Sequence, residues 1–145
     1  MHRILSALIA LSFVGTGAAF AQTDAIAQRK QSMKDVGAAT RDPGQMLQGR
    51  QPFDLAKVKA SLQVYVDSSQ KMPGLYPPGT EQGGDTSASA KVWQSKADFD
   101  ARFAQWGSAS RAALTAITDE ASFKAEFPKI MQACGACHEV YREKK

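Results

Sequence analysis

Four stretches of this chain carry apolar residues at steps of three and four. Strand-like alternation is confined to Val64-Tyr65-Val66, inside one of those stretches. A stripe of that period makes one helix face apolar, and such a face must be buried against another. Four stripes therefore predict an all-α chain folded as an antiparallel four-helix bundle. The first helix is expected from about Thr23 to Met46, with Thr23 or Asp24 as N-cap and Ile26, Arg29, Met33, Val36, Gly37 and Thr40 on its inner face. Asp42-Pro43-Gly44 lies near its end. The second runs from about Asp54 to Lys71, bracketed by Pro52 and Pro73. Its stripe is Leu55, Val58, Leu62, Tyr65, Val66, Ser69 and Met72. The third is expected from about Lys91 to Ile117, with Val92, Phe99, Phe103 and Trp106 inward and Trp93 on its flank. The fourth starts near Asp119, capped by Thr118 or Asp119, and its inner stripe includes Phe123, Phe127, Ile130, Met131, Cys134, His138 and Tyr141. Pro128 falls within it, so it either kinks there or divides into two nearly aligned segments. Residues 73–90, "PGLYPPGTEQGGDTSASA", have no period. A loop of that length inside a compact domain is commonly functional.

The N-terminus reads as an export signal. His2 and Arg3 precede an apolar run from Ile4 to Val14, and Ala19-Phe20-Ala21 is a small-x-small cleavage site. A signal peptide over residues 1–21 leaves residues 22–145 as one domain. The run is shorter than the roughly 20 apolar residues that span a bilayer. The product is therefore expected to be soluble in the periplasm, with no membrane contact after cleavage. Basic residues exceed acidic ones only mildly, 18 to 14, which is too little to argue for nucleic acid. Losing the leader removes His2, and His138 then follows directly on the two cysteines, Cys134 and Cys137, as the remaining histidine.

"CGACH" at 134–138 is open to three chemistries. A structural zinc needs four protein ligands, and this cluster supplies three. A thioredoxin-type pair sits where a strand meets a helix N-terminus, which lowers one thiol's pKa. Here the pair is at the far end of the last helix. A plain disulfide would close only a tiny loop. The third chemistry is c-type haem attachment, in which two thiols form thioethers with the haem vinyls and the next histidine reaches the iron. Export, a bundle pattern and the absence of other mature Cys or His favour this reading. Burying a few hundred Å² of porphyrin would then add roughly 5–10 kcal/mol before ordering costs.

With the motif close to the C-terminus of a four-helix pattern, the mature chain resembles cytochrome c′ and its relatives, the class II c-type cytochromes. The resemblance rests on Arg29 with Met33 one turn later, "QPFDLAKVKASL", "YPPGTEQGGDTSASAKVW" and "CGACHEVYREKK". It implies one haem c per chain, attached through Cys134 and Cys137, with His138 as proximal ligand and Arg142 beside the proximal face. It also implies Arg29 near a haem propionate, Met33 over the distal face, and Tyr76 with Leu75 helping to roof that side. Pro128 is not a feature the resemblance leads one to expect.

Met33 separates two functions. Bound to iron it gives a six-coordinate haem suited to electron transfer. The run "SMKDVG" resembles the methionine-ligated branch of the family. If Met33 only packs, the iron keeps an open site for NO or CO, as in cytochrome c′ proper. Met131 belongs to the proximal side, about 10 Å along the last helix from His138. Met46 and Met72 lie near helix ends. An electron carrier with His138/Met33 ligation is the expectation, and a five-coordinate gas binder the alternative. A peroxidase-like enzyme would want a distal acid–base group, and none is seen near Met33. An unidentified redox partner protein, acidic in character, would suit the charges at Arg142, Lys144 and Lys145. A homodimer through the first two helices would suit Gly37, Ala38 and Ala39.

Overall fold

The computed structural model describes residues 16–144, so most of the expected leader lies outside the described residues. Four long helices form the bundle: α1 (Thr16–Leu47), α2 (Leu55–Lys71), α4 (Lys96–Ala116) and α5 (Glu120–Tyr141). A 3-10 turn (Met72–Leu75) and the one-turn helix α3 (Lys91–Gln94) flank the long loop. Among the described residues there is no strand, only an isolated antiparallel bridge between Ala88 and Arg142. No described helix is long and apolar enough to cross a membrane.

The second helix begins as the sequence leads one to expect. Asp54 caps α2, its side chain accepting from the Lys57 amide at 3.1 Å. The start of α1 differs: the helix runs unbroken through Thr23 and Asp24, so neither is its cap. It also continues through Pro43, which has no N–H to offer the Ala39 carbonyl. Ser61 on α2 supplies the missing donor, its hydroxyl lying 2.7 Å from Ala39 O. Gly37, expected on the inner face, is exposed, while the neighbouring turn buries Ser32 and Val36.

The expected third helix is two. Ser95 leaves helical geometry (φ −130°, ψ 44°) and separates α3 from α4. The break lets Val92 bury completely while Trp93 reaches the Pro77 carbonyl with its indole N–H at 3.1 Å. Pro128 does not divide α5, which is one helix from Glu120 to Tyr141.

The core sits between α2, α4 and the first half of α5. Tyr65 stacks on Trp106 with ring centroids 5.2 Å apart and meets Phe127 at 6.1 Å. Phe127 and Phe123 follow at 5.2 Å. The α2 and α4 backbones approach closely because Gly107 has no side chain: a Cβ there would lie 2.1 Å from Ser69 Oγ. Close pairing joins α1 to α2, α2 to α4 and α4 to α5, but not α1 to α5.

Candidate functional site

The cysteines and histidine occupy the last two turns of α5. Buried Phe123, Phe127, Ile130 and Tyr141 recur at steps of four and three, and Cys134 and Cys137 continue that series half-buried. His138 falls one step off the stripe and is exposed. The expected placement of His138 on the inner stripe is therefore corrected: both thiols lie on the packed side and the imidazole stands at its margin. Cys134 faces Ile130, its Sγ 3.7 Å from that carbonyl.

The electrostatics separate the chemistries that the motif left open. Burial pushes the Cys134 thiol up, and so does neighbouring Cys137. Burial also raises Cys137, with Arg102 pulling the other way and Asp98 adding to the rise. A thioredoxin-type pair needs one thiol lowered, so this site does not suit it. Partial desolvation and the charge of Arg142 hold the His138 imidazolium below its usual pKa. Both effects favour the neutral ring, the form that donates to a metal. Two partly buried thiols one turn apart beside an accessible imidazole form a donor set that fits covalent haem c.

Arg29 is buried, 3% exposed, and grips the long loop. One terminal nitrogen donates to Thr80 Oγ1 (3.0 Å) and Leu75 O (3.4 Å), the other to Thr80 O (2.8 Å) and Thr86 Oγ1 (2.7 Å). The guanidinium also lies over Tyr76 (4.7 Å) and Trp93 (5.5 Å). Burial lowers its pKa, with Tyr76 and Glu81 opposing. Tyr76 is buried against Phe99, edge to face at 4.7 Å, and burial pushes its phenol up to about 12 despite Arg29. Leu75 is half-buried beside it. Met33, one turn along α1 from Arg29, is half-buried against the core, whereas Met46 and Met72 are consumed by packing.

Arg142 is exposed, but its backbone matters: its amide donates to His138 O at 3.2 Å and it bridges to Ala88. Sequence reasoning missed Thr80, Thr86 and Ser89, which have no periodicity to betray them. It also missed Asp98, which accepts from Tyr141 OH and from Arg102 Nε (2.8 Å) beside Cys137. Asp98 and Arg102 stand four apart on α4, an i,i+4 pair that could have been read.

The family model for cytochrome C' matches residues 24–142. A cytochrome c' from Rhodopseudomonas palustris is 43% identical over 97% of this chain and 97% of its own. A cytochrome c-556 from the same organism is 32% identical over 88% of this chain and 89% of its own. The solved cytochrome c' from Rhodopseudomonas palustris superposes with a TM-score of 0.82 at 44% identity, covering 84% of this chain and 98% of that one.

Proposed function

The chain belongs to the cytochrome c′ family, whose members carry haem c, and on that premise we propose that it is a periplasmic electron carrier in which His138 and Met33 are the two iron ligands. The haem supplies one-electron exchange at iron. Cys134 and Cys137 would hold it covalently, and His138 would present its neutral imidazole. Met33 would offer its thioether from α1, the helix that does not pair closely with α5. Arg29 would lend positive charge near the propionates, with Tyr76 and Leu75 covering the distal side and Arg142 the proximal. Turnover such as peroxidase chemistry would want an acid–base group on the distal side, and the sequence around Met33 does not offer one there, so the reading is exchange and not catalysis.

The observation that carries the reading is Met33. It is half-buried one turn from the buried Arg29, while Met46 and Met72 are sealed in the core. Export is supported by the family model beginning at residue 24. It is also supported by the solved relative, whose chain is matched almost whole by 84% of this one. Exposed Arg142 and Lys144 suit an acidic redox partner, and exposed Gly37 and Ala38 on α1 suit a homodimer.

A second reading is favoured by the 43% identity to a relative named cytochrome c'. In it Met33 only packs, and the distal side admits NO or CO. Absorption spectra of the purified protein, ferric and ferrous, with and without CO, separate the two. Low-spin spectra unmoved by CO, turning high-spin in Met33→Leu, support the carrier. High-spin spectra that shift with CO in the unmodified protein sink it in favour of gas binding.

A further inference from the structure

The last four carbonyls of any helix lack intrahelical donors. At the end of α5 two of them are met from about 50 residues away in sequence. Ser89 donates its amide to Tyr141 O at 2.9 Å and its hydroxyl to Val140 O at 3.3 Å. Beyond the helix, the Glu143 amide donates to Ser87 O at 2.8 Å, and Ala88 bridges to Arg142. Residues 87–89 thus form a short strap over the turn that holds His138. The strap in turn depends on Thr86, whose hydroxyl oxygen accepts from Arg29 (2.7 Å) and from the Ala88 amide (3.2 Å). Thr80, 2% exposed, accepts from Arg29 through both its hydroxyl and its carbonyl.

We propose that Arg29, through Thr80 and Thr86, locks residues 86–89 onto the end of α5 and so fixes the orientation of His138. This inference rests on the reading of His138 as the iron ligand. It makes Arg29 a positioning residue as well as a charge. His138 is exposed at the margin of the packed face. Its orientation is set by the backbone turn beneath it, and that turn is completed by the strap. The guanidinium suits the task because its planar fork serves four acceptors at once, which an ammonium on a flexible stem does not. Buried, it also loses free energy wherever a donor goes unpaired.

Two variants of the full haem-loaded protein test it. Thr86→Val keeps the Arg29 charge and removes one acceptor. Arg29→Lys keeps the charge and removes the fork. Amide hydrogen exchange is read at Ser89, Arg142 and Glu143, with Leu62 on α2 as internal control. The paramagnetically shifted ring resonances of His138 in the ferric protein and the reduction potential are read alongside. The expected result is exchange about tenfold faster at Ser89, Arg142 and Glu143 in both variants, with Leu62 unchanged. Displaced His138 ring resonances and a shifted potential should accompany it. Unchanged exchange at Arg142 and Glu143 overturns the lock. Faster exchange with the His138 resonances and the potential unmoved overturns the positioning of His138 and leaves only a helix cap. Protein that carries no covalent haem overturns the electron-carrier reading itself, while the exchange data still report on the strap.

Discussion

The two halves of α5 are held by different means. From Glu120 to Ile130 the helix is capped by its own residues and buries Phe123 and Phe127 completely. From Met131 to Tyr141 its inward side chains are only half-buried until Tyr141, and its end is completed by a distant loop. Close-packed rings give the first half a stable position through dispersion and exclusion of water. Hydrogen bonds and a buried guanidinium give the second half a defined but less deeply buried one. A chain that must accept a large prosthetic group beside its last turns cannot also fill that space with its own side chains.

The largest effect should come from breaking the packed half. Phe127 is fully buried between Tyr65 and Phe123. Phe127→Ala is expected to cost about 3–5 kcal/mol of unfolding free energy in urea titration, through lost transfer energy and the cavity left behind. A loss below about 1 kcal/mol would mean that the rings are not the main support of this half, and the comparison would fail.

Two tyrosines sharpen the contrast at alkaline pH. Tyr65 belongs to the packed half and Tyr76 to the loop side, and burial pushes both up to about 12. The folded state therefore keeps a proton that the unfolded chain sheds near pH 10, so each contribution is whole below pH 10 and lost as pH rises toward 12. The loss is on the order of 2–3 kcal/mol for each group. Tyr65→Phe and Tyr76→Phe should each flatten the fall in stability between pH 10 and 12. Tyr76→Phe should also leave the Arg29 hydrogen bonds intact, because Arg29 meets the ring face and not the hydroxyl. An alkaline limb unchanged in both variants would count against burial as the cause.

The same contrast explains what could be read from the chain. The stripes of α2 and of the third helix were legible because period and burial agree at every step, from Val58 to Ile117. The cap at Asp119, offered beside Thr118, was legible because a cap is local to its helix. The continuity of α1 through Pro43 was not, since it depends on a hydroxyl from Ser61 on another helix. Nor was the strap, because Thr80, Thr86 and Ser89 acquire their roles only when the loop folds back on Arg29 and α5. The placement of His138 one step off the buried stripe was misread for a subtler reason. An i,i+4 spacing sets it within about a turn of Cys134 but does not say which of Cys137 and His138 lies nearer the centre of the face.

The smallest effect should be at the start of α5. Asp119 accepts from the Ser122 amide at 2.8 Å, and the Ser122 hydroxyl lies 3.0 Å from the Asp119 amide, closing a capping box. The backbone and side-chain bonds from Ser122 hold the Asp119 carboxyl below its usual pKa, with burial opposing only weakly. A depressed carboxylate contributes stability that is whole above the unfolded value near 4 and is lost as pH falls through the lower folded value. Asp119→Ala should therefore lower the melting temperature modestly at pH 7, and the gap to the parent protein should close as the pH falls below 4. Because the cap is local, amide exchange should quicken at Ser122 and Phe123 while Arg142 and Glu143 keep the parent rates. Quickening at the His138 end as well would show that α5 responds as one unit, and the division between its locally capped and remotely strapped halves would have to be given up.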